Sequence, residues 1–413
     1  MTYLVKPASA NTSTNGFKVR FIDYDGTILS TQYVTSGNNA VAPTPPTHSN
    51  LTFYGWNNSY TNITRDADIG AVYNTTDGKT YLNVTLNSIT GLSISALNVN
   101  KSNNATLTVD WGDGNTNTSS ASDDVTFPSH TYSVAGNYSI TLKITTGTGT
   151  YQLGNVTNNG IFSQSSTNYI LTSVLCSNEV TSSANRTFQL CASLMYVSLS
   201  STFILNTVDL RTFYNCHSIK AIIIPSGNLH LPDSFCYQCY ALRIIVLPST
   251  LIDLNYGNSH FYNCYSLVSI ILPLNLTIFF NSIFYNCYSL QSVLMPTSVT
   301  SFGNSIFYFC YSLLAILLPI GITSIAANTF SGCGSLISVE FQYGIASIAA
   351  GSFQNNYSVL SYTFHDSTPP TLANISAFSG IGGLCQIRVP AASLTAYKTA
   401  TNWSTYANYM VGY

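Results

Sequence analysis

The chain has 413 residues, carries a net charge of −2, and only 7% of its residues are charged. That length suits about two to four domains, and so neutral a balance gives no electrostatic case for nucleic acid or an anionic membrane surface. Apolar residues make up 46% of the chain and aromatics 13%, enough to bury cores, so the high Asn, Ser and Thr content does not signal disorder.

Residues 1–16 are short, polar and unpatterned, and read as a leader or a docking arm that orders on a partner. Met1-Thr-Tyr-Leu-Val-Lys-Pro-Ala lacks the basic start and long apolar run of a secretory signal. No stretch reaches the ~18 apolar residues needed to span a bilayer. The expectation is either a signal already removed or release without Sec export, as from a virus particle freed by lysis.

Residues 17–74 read as a small β domain. Phe17-Lys-Val-Arg-Phe-Ile22 alternates, Asp23-Tyr-Asp25-Gly26 turns, and Ile28-Leu-Ser-Thr-Gln-Tyr33-Val returns. Asp23 and Asp25 are either a cation site or a solvated hairpin turn, and Trp56 belongs to the core. The order Asp-Tyr-Asp-Gly-Thr, then Pro43-Thr-Pro-Pro46, Gly55-Trp56 and Ala71-Val-Tyr73 resembles the internalin-type B repeat. That resemblance implies a β-grasp-like fold.

Residues 80–146 carry Asp110-Trp111-Gly112-Asp113-Gly114, then His130-Thr-Tyr132 and Gly136-Asn-Tyr138. Tyr138, Ile140, Leu142 and Ile144 share one face of a closing strand. This pattern resembles a PKD domain and implies an immunoglobulin-like sandwich. Asp110 and Asp113 are weak Ca²⁺ candidates, with Asp123 and Asp124 beside them, since that cation takes oxygen ligands. Turn-shaping is the other reading. Residues 147–160, rich in Gly, Thr and Asn, read as a linker.

From about Asn168 onward one pattern recurs: Phe-x-x-Cys-x-x-Leu, then a short apolar strand ended by Pro. It stands most clearly as Phe261-Tyr-Asn-Cys264-Tyr-Ser-Leu267-Val-Ser-Ile270-Ile-Leu272-Pro273. The Cys position falls at Asn168, Cys191, Cys216, Cys239, Cys264, Cys287, Cys310, Cys333, Asn356 and Ile381, at steps of 23 or 25 residues. Such a period signals a solenoid whose units bury their apolar edges only against neighbours. Leu267, Ile270 and Leu272 are expected to point inward, and Pro stops each strand because it lacks an amide hydrogen. The longer step around Asn255–His260 is expected to bulge outward.

This frame resembles the BspA-type leucine-rich repeat over 161–390, with a C-terminal cap over 391–413. The expected fold is thus mainly β and multidomain: a β-grasp-like domain, a PKD-like sandwich and a leucine-rich-repeat solenoid of about ten units. The resemblance implies surface adhesion and binding, not catalysis.

The thiols Cys191, Cys216, Cys239, Cys264, Cys287, Cys310 and Cys333 are read as a buried structural column. Disulfides between rungs are the alternative, as is a metal at Cys236-Tyr-Gln-Cys239, although no second ligand pair completes a zinc site. No cofactor is expected beyond the Ca²⁺ candidates.

Tyrosines fill the positions that the repeat leaves free. Tyr214, Tyr237, Tyr262, Tyr285 and Tyr308 stand two places before the Cys position; Tyr240, Tyr265, Tyr288, Tyr311 and Tyr357 stand one after. Each set should form a ladder along one edge. Between Arg243 and Arg388 there is no Lys or Arg, and the acids are Asp253, Glu340 and Asp366. A ligand there meets aromatic faces and neutral hydrogen bonds. The expected partners are a host-surface glycan or protein, and capsid or tail proteins if the chain decorates a virion; an oligomer is compatible with this. A bacterial surface adhesin and a structural spacer are the competing readings, with packing of the tyrosines for stability as the bland one. The location expected is a virion surface or the extracellular space. The solenoid has too few acids for a paired-carboxylate glycosidase, and Gly-x-Ser-x-Gly, a P-loop and His-Glu-x-x-His are missing from the sequence, which argues against an enzyme.

Overall fold

The computed structural model describes residues 16–87, 89–101, 103–154, 160–163, 169–205 and 210–413, with the backbone alone at Asn255 and Tyr256. Residues 1–15 of the proposed leader and Asn168 of the first repeat lie outside these. Two compact bodies divide the chain, one within Asn15–Leu251 and one within Ile252–Tyr413. The repeats form a β-solenoid of about ten turns.

In the first body, β1 (Phe17–Ile22), β2 (Ile28–Val34), β3 (Leu51–Trp56) and β4 (Ala67–Thr75) make a sheet of order β2-β1-β4-β3. β1 and β2 form an antiparallel hairpin, and β1 runs parallel to β4. Val19, Phe21, Val34, Ile63 and Ile69 form the core, with Trp56 packed against it. The hairpin turn differs from a solvated one. Gly26 takes φ +90, and Asp23 is folded under, 1% exposed, with its carboxylate 2.7 Å from His48 Nε2. The backbone N–H of Tyr24 donates to Asp23, and that of Thr27 to Asp25. The carboxylates serve the turn itself.

The sandwich follows. β5 (Thr80–Leu86), β8 (Thr106–Asp110), β9 (Thr116–Ser119) and β12 (Gly136–Thr146) lie in one sheet; β7 (Leu97–Lys101) and β10 (Asp123–Phe127) lie in the other. The short pair β6 (Ser93–Ile94) and β11 (His130–Thr131) closes one end.

The linker expected over 147–160 is not all linker. Tyr151–Leu153 is a strand, β13, antiparallel to β7. Tyr151 and Leu153 face the core, and a strand this short leaves little trace amid glycines and threonines. The first rungs then extend both sheets of the sandwich. β14 (Leu171–Leu175) pairs antiparallel with β5, and β16 (Tyr196–Ser198) pairs parallel with β14. β15 (Val180–Ser183) pairs parallel with β13. Strand edges carry unpaired backbone groups, and here one edge of each sheet, β5 and β13, is covered by a rung.

The N-terminal sheet also packs on the rungs of its own body. Ile22 and Val72 meet Ile223 and Val246. A Cβ on Gly70 would lie 2.3 Å from Ile223 Cγ2, so only glycine permits this approach. Buried Asn57 donates to the carbonyl of Ile224 and accepts from the N–H of Gly70.

In the second body the strands 269–271 and 292–294 pair in parallel register, Ile270 opposite Val293. Strands 315–317, 338–340, 361–363, 386–389 and 410–412 continue as a five-stranded sheet. A second column runs 324–325, 347–348, 371–372. Leu267, Ile270 and Leu272 are buried as the repeat predicts. The expected bulge at Asn255–His260 is smaller than its length suggests: Asp253–Tyr256 is a strand with Leu254 inward, and His260 is buried. At the end of the chain, a short helix at Leu394–Thr399 and a 3-10 turn at Trp403–Tyr409 lie over the last rung, with Trp403 Nε1 donating to Pro370 O at 2.7 Å.

Among the described residues no helix is long and apolar enough to cross a membrane.

Candidate functional site: aromatic ladders on the solenoid edge

Each turn bearing Phe and Cys is built on two residues in the left-handed region. One stands five places before the Cys position (Ser259, Ser282, Ser305, Asn328), and one stands just before it (Asn263, Asn286, Phe309, Gly332, Asn355). Asn and Gly suit that region and Phe does not. Between them the Phe rings stack inward: Phe261, Phe284, Phe307, Phe330, Phe353 and Phe378 follow one another at 5.3–5.5 Å.

The thiols form the expected buried column. Cys287, Cys310 and Cys333 each donate Sγ–H to a Phe carbonyl of the preceding unit, at 3.1–3.2 Å, as do Cys216 and Cys239 in the first body at 3.0–3.1 Å. All ten cysteines are free and buried. Burial pushes Cys176 and Cys385 up to about 12 and raises Cys191 and Cys333 as well. Among the described residues, no group of three or more His, Cys, Asp or Glu side chains is placed to hold a metal ion.

A thiol ionises near 9.0 when exposed, so the folded state holds these protons more tightly than the unfolded chain. Their contribution to stability is present in full below pH 9 and is lost as pH rises toward the folded values. The expected result is a melting temperature that falls steadily above pH 9. In parallel, a thiol reagent at pH 8 should modify none of the ten cysteines in the native protein and all ten in guanidinium.

The outward rings stack in each body. In the second, Tyr262, Tyr285 and Tyr308 follow at 4.5 and 4.6 Å, and Tyr265, Tyr288 and Tyr311 at 4.7 and 5.1 Å. In the first, Tyr214 stacks on Tyr237 at 4.7 Å, and Tyr240 stacks on His217 at 4.5 Å. These rings are half-buried, except Tyr311, which is 46% exposed. Burial, then the neighbouring phenols, raises the hydroxyls of Tyr285 and Tyr288. At neutral pH they stay protonated and can both donate and accept.

Tyr357 does not continue its ladder directly. The intervening unit reads Ser331-Gly332-Cys333-Gly334 and bears no outward ring. Phe309 leans into the space at Gly332, where a Cβ would lie 2.2 Å from its ring. It sits 4.2 Å from Tyr308 and runs near-parallel to Tyr311 at 5.4 Å, joining the two ladders. Asn286 donates to Asn263 Oδ1 at 2.9 Å, but Phe309 cannot continue this amide ladder, and Asn286 Oδ1 is buried without a partner. Sequence reading missed His217, Phe309 and Gly334; the available signal was their departure from the repeat.

In the sandwich, Asp110 and Asp113 are engaged in their turn. The N–H of Gly112 donates to Asp110, and that of Asn115 to Asp113. Asp113 also lies 2.7 Å from His130 Nε2, and His130 stacks flat on Trp111 at 4.8 Å. Burial works to raise Asp113, but its hydrogen bonds with His130 and Asn115 outweigh this and hold it below the usual carboxylate value.

A solenoid of Phe-Cys-Leu turns joined to a β-sandwich defines a leucine-rich-repeat architecture. The profile of the BspA type leucine rich repeat region matches residues 158–279 and 254–381, and that of the PKD domain matches 77–159. The first covers more than half of the sequence, and the chain belongs to the BspA-type leucine-rich-repeat family. Neither profile reaches the N-terminal sheet, whose likeness to the internalin-type B repeat stays an expectation. No curated protein matches the chain. Among solved structures, a leucine rich repeat protein of T. pallidum is 26% identical, with TM-score 0.34, over 38% of this chain and 77% of that one. A leucine rich cell surface protein from Faecalibacterium prausnitzii is 21% identical, with TM-score 0.32, over 56% and 83%. A leucine-rich repeat protein from Bacteroides ovatus is 18% identical, with TM-score 0.29, over 54% and 80%.

Proposed function

We propose that this is a non-catalytic surface-binding protein whose solenoid edge engages a host-surface glycan or receptor protein, displayed on a virus particle. The observation that carries this reading is the pair of half-exposed tyrosine ladders on a stretch free of Lys and Arg from 244 to 387. Stacked phenols offer flat apolar faces and hydroxyl tips already held in place, so little rotamer freedom is lost on binding. Display on a bacterial surface would use the same contacts; immunogold labelling of particles against cells separates the two carriers.

The test of the edge itself is Tyr262→Ser, Tyr285→Ser and Tyr308→Ser combined. Binding to host cells or immobilised glycans should disappear while the melting temperature moves little. A collapsed solenoid would instead assign the rings to packing, the role they have in a structural spacer.

A further inference from the structure

The ladder of Tyr265, Tyr288 and Tyr311 lacks one ring at Gly334 and has Tyr357 one unit beyond. From this we infer that the gap is a ring-binding slot, which takes a single pyranose of a neutral glycan between Tyr311 and Tyr357. The inference rests on the glycan reading above and locates its contact.

Inside the ladder the ring faces already cover one another at 4.7 and 5.1 Å, so no ligand ring can lie flat there. At Gly334 the position of a Cβ meets nothing within 4 Å. The units on either side are consecutive: Ser335 N donates to Tyr311 O at 3.0 Å, and Gly332 N donates to Gln354 O at 2.7 Å. Tyr311 and Tyr357 therefore stand two rung spacings apart, roughly 9–10 Å at about 4.8 Å per rung. One ring stacked between two others needs about that separation, and two rings do not fit. Tyr311 is 46% exposed and Tyr357 64%, the most exposed rings of their ladder.

The surroundings select the chemistry. Ser312, Ser335 and Ser358 each directly follow the ring position of their unit, so a hydroxyl-bearing residue adjoins each level of the slot. Phe309, near-parallel to Tyr311, adds apolar surface on the same side. A pyranose has the matching make-up: an apolar face of C–H groups for the rings and hydroxyls around its edge for serine. No Lys or Arg stands between 244 and 387 to favour a phosphate or an acidic sugar.

The experiment uses the full chain with immobilised mannan, β-glucan, starch and chitin as probes, and sialylated and sulfated glycans as charged controls. Gly334→Tyr supplies the missing ring in space that is open and at a backbone conformation any residue adopts. The variant should melt no lower than the parent, yet bind the preferred neutral glycan about tenfold or more weakly. Tyr357→Ser should weaken binding similarly. Parent-like glycan binding by Gly334→Tyr overturns the slot and leaves the ladders to be judged by the Tyr262, Tyr285, Tyr308 variant. Failure of the parent to bind any neutral glycan overturns the slot and the glycan reading together and leaves a receptor protein as the ligand of the edge, and preference for the charged controls overturns the ligand class.

Discussion

Phe307→Ala is expected to destabilise the solenoid by about 3–5 kcal/mol, the range for removing a fully buried aromatic ring. Phe307 is wholly buried and stacks at 5.4 Å on Phe284 before it and Phe330 after it. The flanking rings are held by their own backbone bonds, Phe284 N to Ile306 O and Phe330 N to Ser352 O, so they cannot close the cavity. Repeat arrays derive their stability from nearest-neighbour interfaces, and this change damages two at once. Urea unfolding should show an early loss of structure in the 252–413 body. Tyr288→Ser, on the half-buried outer ladder, is the comparison and should cost far less.

The second large effect is expected from Ile223→Asp. Ile223 points away from the solenoid interior and is 4% exposed because Ile22, Val72 and Gly70 lie on it. An unpaired carboxylate in that contact costs several kcal/mol if the contact holds. The cheaper outcome is for the N-terminal sheet to lift off and hydrate the charge. The docking free energy therefore caps the loss, and the rungs stay folded. Hydrogen exchange should accelerate across 51–75 with little change in 269–294. Exchange that stays parent-like across 51–75 would show that the sheet is not held by this contact. Ile271→Asp, at the same repeat position but half-exposed, should be nearly neutral.

The repeat was legible because a fixed period ties each residue to a place in the turn. Phe261, Cys264, Leu267 and Ile270 could be assigned inward from spacing alone, and all are buried. What spacing does not carry is which backbone edge meets which. The pairing of β14 with β5 joins generic hydrogen-bonding edges, and no side-chain pattern announces it. Likewise β13 is three residues long inside a glycine- and threonine-rich stretch, where composition outweighs a two-residue alternation. Asp23 was misread because a carboxylate in a turn is ordinarily solvated; here His48, 25 positions on, covers it. The site was half legible. The ladders follow from repeat arithmetic, whereas the gap at Gly334 shows only when the exception is weighed as heavily as the rule.

The two sheets of the sandwich run on into the first rungs through β5–β14 on one side and β13–β15 on the other. A pull that parts the sandwich from the opening rungs has to break both of these rows of backbone bonds. Torque applied to the sandwich is therefore carried into the opening rungs through both pairings.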